Sequence, residues 1–254
     1  MSGHNKWAKV KHVKAKMDAI KGRQFTKVIK EITIAARDGG GDPDANPRLR
    51  TALQAAKDVN MPKDNIERAV KKGTGELEGV SYEDITYEGY APGSVAVMIR
   101  CLTDNTNRTV SEINKILSKG GGNMGVPGCV SFMFETKGYF FLEKENNPDL
   151  TEEDLMEIVL EAGAEDMKAY DEGFEVLSEP TNFMAVREYL DTKNLKVTEA
   201  KVTNLPKTTV KVTGADVNKV LKLIDNLEDH DDVQDVYSNQ EISDEDMEMA
   251  MAGS

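Results

Sequence analysis

Ten cations crowd the first 37 residues: Lys6, Lys9, Lys11, Lys14, Lys16, Lys21, Arg23, Lys27, Lys30 and Arg37, against only Asp18 and Glu31. Such a segment can neutralise phosphates and release the counterions condensed on a nucleic acid. Trp7 and His12 lie among the lysines, with His4 just before them, and flat ring faces can stack on unpaired bases. The candidate nucleic-acid-binding residues are therefore His4, Lys6, Trp7, Lys9, Lys11, His12, Lys14, Lys16, Lys21, Arg23, Lys27 and Lys30. The competing reading is a solvated helix face with Trp7 packed on its own bundle. The charge balance weighs against it: this segment is +8 in a chain of net charge −13, which leaves −21 for the rest. Residues 225–254 hold eleven acids and no Lys or Arg. A basic arm for a polyanion on an acidic body fits that asymmetry. Arg108 is a further candidate. It lies in the polar run Thr103–Thr109 at a helix start, where capping accounts for most of the polarity and an arginine can hold a phosphate.

Other chemistry is poorly supported. Gly120-Gly121-Gly122-Asn123-Met124-Gly125 follows a helix and lacks the Lys-Ser or Lys-Thr of a phosphate-binding loop, and Gly39-Gly40-Gly41 fails in the same way. Both read as flexible connections, the former able to shape itself to RNA. No serine sits in a GxSxG elbow and no HExxH is present. Cys101 and Cys129 form no CxxC pair and fall in or beside apolar strands, as buried reduced thiols do. His4, His12 and His230 are too scattered for a zinc site. The acidic stretch from Asp225 to Glu248 reads as a solvated face, with no calcium-loop pattern. No catalytic residue, metal or cofactor is expected.

The elements that must carry these residues can be read from periodicity. Val10, Val13, Met17 and Ile20, then Phe25, Val28, Ile29, Ile32 and Ala36, repeat at helical spacing up to the glycines at 39–41. Asn46-Pro47 reads as an N-cap with proline at the first helical position, and Met61-Pro62 opens another helix that stops at Gly73. Residues 1–79 form a basic helical domain. Strands follow at Ile85–Tyr90, Val95–Leu102 and Val130–Glu135, with a helix over Thr106–Lys119. Residues 137–204 then run strand, helix, strand, strand, helix, strand, which is the ferredoxin-like order. Thr209–Val212, Asp216–Leu227 and Val233–Tyr237 make a βαβ unit that cannot cover both its faces alone. The fold class is α+β multidomain: a helical bundle, a split α+β domain (80–136 with 205–240) and an inserted ferredoxin-like domain (137–204), with an acidic tail at 241–254.

No apolar run reaches the roughly 18 residues of a membrane span, and no apolar core follows the basic start as in a secretory signal. The expected location is the cytoplasm and the expected state a monomer.

Many separated motifs resemble the YebC/PmpR family, to which the mitochondrial translational activator of cytochrome c oxidase belongs. They are Ser2-Gly3-His4-Asn5-Lys6-Trp7, Lys11-His12, Phe25-Thr26-Lys27, Gly41-Asp42-Pro43, Asn46-Pro47-Arg48-Leu49, Met61 to Ala69, Tyr87-Glu88-Gly89-Tyr90, Leu102-Thr103-Asp104-Asn105, Asn107-Arg108-Thr109, Gly121-Gly122-Asn123, Met133-Phe134-Glu135, Leu227-Glu228-Asp229 and Asp232-Val233-Gln234. Asn5 stands where serine is commoner. The resemblance implies a helical domain with two α+β domains, no enzymatic activity, and a regulator of either of two kinds. One is a DNA-binding transcriptional regulator; the other is a ribosome-associated translation factor on ribosomal RNA. Phosphate contacts position a protein on either. The acidic body and the lack of a helix-turn-helix element lean toward RNA. A protein-interaction module that docks an acidic partner is the remaining class.

Overall fold

The computed structural model describes residues 17–252, and within it no helix is long and apolar enough to cross a membrane. Three helices open the described chain: α1 (Met17–Gly39), α2 (Pro47–Asp58) and α3 (Lys63–Gly73). Ile32, Ala36, Leu49, Ala52, Ala56 and Ala69 make their common core. Small alanines on the facing stripes let the three helices pack closely. Asn46 fixes the α1–α2 corner. Its Oδ1 accepts the Leu49 N–H at 3.0 Å, while its Nδ2 donates to the carbonyls of Ala35 and Gly40 at 2.7 and 2.8 Å.

The next elements are β1 (Glu83–Ala91), β2 (Val95–Thr103), α4 (Thr106–Lys119) and β3 (Asn123–Met124). After residue 207 come β8 (Val210–Lys211), α7 (Ala215–Glu228), β9 (Val233–Ser238), β10 (Gln240–Glu241) and α8 (Asp244–Ala252). Strand order is β3-β1-β2-β9, antiparallel throughout. Val97, Ile99 and Cys101 of β2 share a core with Ile113 and Leu117 of α4 and with Val220, Ile224 and Leu227 of α7. The described residues before 134 and after 207 form one compact unit.

The second unit, Phe134–Lys207, contains β4 (Phe134–Glu143), α5 (Glu152–Ala162), β5 (Asp166–Ala169), β6 (Gly173–Ser178), α6 (Phe183–Thr192) and β7 (Glu199–Pro206). Its sheet order, β5-β6-β4-β7 with all pairs antiparallel, is ferredoxin-like. Phe140, Leu142, Phe174 and Val176 pack with Leu155, Val159, Val186 and Leu190 of the two helices.

Four expectations change. Val130–Glu135 is not a strand of the first sheet: Ser131–Met133 is a 3-10 turn, and β4 starts at Phe134 in the other sheet. The edge of the first sheet is instead β3, a two-residue strand set by a close approach. A Cβ on Gly89 would stand 2.4 Å from the Asn123 carbonyl oxygen, and one on Gly122 2.4 Å from that of Tyr90. The glycine run at 120–125, expected as a flexible connection, is thereby stitched to β1. Strand β8 does not join the four-stranded sheet but pairs in parallel with β10. The acidic tail is helix α8, whose Met247 and Ala250 are buried with Ile242 in the core against α7.

Candidate nucleic-acid interface

His4, Lys6, Trp7, Lys9, Lys11, His12, Lys14 and Lys16 lie outside the described residues, and Lys21 is described only in its helical backbone. Arg23, Lys27, Lys30 and Arg108 can be placed. All four turn toward the acidic connection between α7 and β9, Glu228-Asp229-His230-Asp231-Asp232. The three on α1 repeat at intervals of four and three, so one face of the helix presents them to that connection. Arg23 pairs with Asp229 at the rim, with both side chains part-exposed. Lys27 Nζ donates to the carbonyls of Glu228 and Gln234, each at 3.3 Å.

Lys30 is buried. Its ammonium donates to the carbonyls of Leu102 at 3.2 Å and Asp231 at 2.9 Å, and to Asp232 Oδ1 at 3.0 Å. The other oxygen of Asp232 accepts from Arg108 Nη2 at 2.7 Å, Thr109 Oγ1 at 2.8 Å and Thr103 Oγ1 at 3.2 Å. The structure thus brings Lys30 and Arg108 to opposite oxygens of one carboxylate. Burial pushes the Asp232 carboxyl up, but the hydrogen bonds from Arg108, Thr109 and Lys30 outweigh it and hold the group well below the usual carboxylate range. Arg108 also pairs with Asp104 at 2.9 Å. Its backbone N–H is taken by the Asn105 cap at 3.0 Å, so the polar run at 103–109 does cap α4.

His230 adds a tautomer-defining link. Its Nδ1 accepts the Asp232 N–H at 3.1 Å, which leaves the proton of the neutral ring on Nε2, 2.9 Å from Glu112 Oε2. A cleft of about 760 Å³ opens beside these groups, lined by Lys30, Tyr82, Arg108, Lys115, Lys119 and Asp231 among others. Lys115 and Lys119 are exposed cations that sequence reading passed over, one and two turns along α4 from Glu112. Asp104, Glu112 and Asp229 line the same cleft, so its charge is mixed rather than basic.

A second ion network lies on the other flank of α1. Arg100 Nη2 reaches Glu31 at 2.7 Å and Asp84 at 2.8 Å, while Arg48 reaches the same two acids at 2.8 and 2.7 Å. Burial alone would lower the Arg100 pKa; the hydrogen bond to Asp84 and the charges of Glu31, Asp84 and Asp235 raise it instead. Neither Arg48 nor Arg100 stood out in the sequence, because their partners lie on three other elements.

Among the described residues no cluster of His, Cys, Asp and Glu could hold a metal. Burial, followed by the charge of Asp232, pushes the Cys101 thiol up to about 12, which favours the protonated thiol at neutral pH. Cys129 is also raised, chiefly by burial and then by Glu88.

The fold is that of a multidomain α+β protein with a ferredoxin-like domain inserted in a split sheet domain, preceded by a basic helical bundle. The chain belongs to the TACO1/YebC family. Residues 5–76 match the TACO1/YebC protein N-terminal domain and residues 82–240 the TACO1/YebC second and third domain. A probable transcriptional regulatory protein of Geobacter sulfurreducens is 55% identical over 99% of this chain and 100% of the relative. One from Dictyoglomus turgidum is 54% identical over 96% of this chain and 98% of its own length. The crystal structure of the conserved hypothetical protein Aq1575 from Aquifex aeolicus matches with a TM-score of 0.82 at 47% identity, over 92% of this chain and 96% of that one.

Proposed function

We propose that the chain is a nucleic-acid-binding regulatory protein that acts in the cytoplasm, as a monomer and without catalysis, through the lysine-rich segment upstream of Gly22. One observation carries this reading. Along α1, the described cations Arg23, Lys27 and Lys30 are engaged with the chain's own acidic connection. The six lysines from Lys6 to Lys21 have a single acid, Asp18, among them. Lys30 and Arg108 in this reading hold the scaffold together, and the phosphate contacts fall to Lys6, Lys9, Lys11, Lys14, Lys16 and Lys21, with Trp7 and His12 between them and His4 just before. The relatives' names put the regulation at transcription, which makes duplex DNA the first target.

A second reading, a translation factor on ribosomal RNA, is favoured by α4. Its cations Arg108, Lys115 and Lys119 are interrupted by Glu112 and faced by Asp104, a pattern unsuited to lying along a major groove lined by phosphates. The test replaces Lys6, Lys9, Lys11, Lys14 and Lys16 with glutamine and titrates RNA and DNA binding against salt. The slope should fall by about 0.9 per lost contact on duplex DNA and about 0.7 on single strands. Unchanged affinity and slope on both ligands would remove the nucleic-acid function and leave docking to an acidic protein. Crosslinking in cells, with sequencing of bound DNA and RNA, decides between the two targets.

A further inference from the structure

The loop between β3 and β4 carries two of the most exposed large apolar side chains among the described residues: Val126 is 72% exposed and Phe132 68%. An apolar loop tip in water is ordinarily loose, but this one is held from beneath. Glu88 of β1, itself 7% exposed, accepts three backbone N–H groups of the loop, from Gly128 at 2.8 Å, Val130 at 2.7 Å and Ser131 at 2.8 Å. Its own carbonyl accepts the Gly125 N–H at 2.8 Å, and Tyr90 Oη donates to the Cys129 carbonyl at 3.2 Å. A Cβ on Gly125 would stand 2.4 Å from Cys129 Sγ, so the loop is folded tightly on itself. Burying a carboxylate is costly unless it is fully hydrogen-bonded. Here it fixes the backbone of a loop that buries Val130 and leaves Val126 and Phe132 in solvent.

Charge narrows what the loop meets. From Gly120 to Phe134 no residue is Asp, Glu, Lys, Arg or His, in a chain that is 30% charged. Beyond residue 37 the chain carries a net charge of −21, which disfavours a polyanion held by the basic arm. This loop is a neutral stretch of that acidic body, and Lys115 and Lys119 lead into it on the last turns of α4. Size narrows it further. Two side chains cannot supply the roughly 800 Å² per partner of a standard protein interface, but one aromatic face is the area of one base.

We propose that the 125–133 loop is a base-stacking site, in which Phe132 receives an unpaired base of RNA and Glu88 positions the loop that presents it. The proposal rests on the nucleic-acid reading above and favours its RNA form. Base-on-aromatic stacking corresponds to about 5- to 150-fold in affinity per base.

The test compares the full chain with Phe132→Ala, Phe132→Trp and the five-lysine variant. The probes are a labelled RNA hairpin with an unpaired loop and a DNA duplex of equal length. Phe132→Ala should weaken the hairpin within that range, leave the duplex and the melting temperature where they were, and keep the salt slope. Phe132→Trp should restore binding. Ultraviolet crosslinking to the hairpin should place a nucleotide adduct on the tryptic peptide Gly120–Lys137. If the five-lysine variant loses the hairpin while Phe132→Ala binds it as the unaltered chain does, the stacking site is wrong and the nucleic-acid function stands. If the unaltered chain binds neither probe, both fall. A Phe132→Ala loss shared equally by the duplex, or one tracking a lower melting temperature, overturns the assignment.

Discussion

Lys30→Met separates a scaffold lysine from a ligand-facing one. In the folded chain the ammonium holds the Leu102 carbonyl, the Asp231 carbonyl and Asp232 Oδ1 at 3.2, 2.9 and 3.0 Å. Removing one partner of a buried pair costs about 3–5 kcal/mol when the remaining charge is orphaned. Asp232 is not orphaned, because its second oxygen keeps Arg108, Thr103 and Thr109. Methionine also retains the apolar stem. The expected loss is therefore about 2–3 kcal/mol, the scale of one or two charge-assisted hydrogen bonds. For a chain of this size that lowers the melting temperature by about 4–12 °C. Scanning calorimetry reads it directly, with the transition of the ferredoxin-like unit, which has its own core, as internal reference. Nucleic-acid affinity well below the transition should be unchanged. A Lys30→Met chain that melts with the unaltered protein but binds nucleic acid more weakly, with a shallower salt slope, would refute the reasoning and return Lys30 to the interface.

Asp232 supplies a pH signature. Its folded pKa is depressed, so its contribution is full above the ordinary carboxylate range near about 3.9 and is lost as pH falls through the lower folded value. The drop in melting temperature from pH 5 to pH 2 should be smaller in Asp232→Asn, and an identical drop would show that other carboxylates carry the acid lability. Gly89→Ala places a methyl group against the Asn123 carbonyl oxygen at 2.4 Å, a backbone atom that cannot step aside. It should cost about 1–3 kcal/mol by urea denaturation, and a neutral result would mean that β3 does not pair with β1 in solution. The fragment 134–207, which contains every strand and helix of the second sheet, should show a cooperative thermal transition by circular dichroism. A flat melt would mean that its core is incomplete without the rest of the chain.

Much of the fold is legible because its local signals are strong. Asn46-Pro47 and Asn105 announce helix starts through capping chemistry, and both side chains accept the expected N–H. The βαββαβ order of the second unit follows from alternation and spacing alone. Elements whose existence depends on a distant partner are the ones that escape. Strand β3 is two residues long and is defined by contact with Gly89, while β8 is defined by β10. Val130 through Phe134 is apolar almost throughout, so periodicity joined it to one strand. In the structure a 3-10 turn divides it and sends Phe134 to another sheet. The acids of α8 masked an inward stripe of Met247 and Ala250. The candidate site was legible as a run of cations but not as a division of labour. Asp232 collects Lys30 from 202 residues away and Arg108 from 124 residues away, and no local pattern distinguishes such a hub from its neighbours Asp229 and Asp231.

The register of β4 and β7 has a kinetic corollary. Phe134 pairs with Pro206, so the two ends of the inserted unit are cross-strand neighbours. The host sheet must close β2 onto β9 between residues such as Arg100 and Asp235, 135 positions apart. Once the insert has folded, the intervening chain is pinched at its base and its flexible length is roughly halved, which saves about 0.6 kcal/mol of closure entropy. Synthesis runs in the same direction. Pro206 is made, and emerges from the ribosome, ahead of every residue of β9, so the insert can finish while the host sheet still lacks its last strand. The ferredoxin-like unit then serves the surrounding domain as a clasp: it shortens the search that completes the host sheet and, with it, the acidic connection that receives α1.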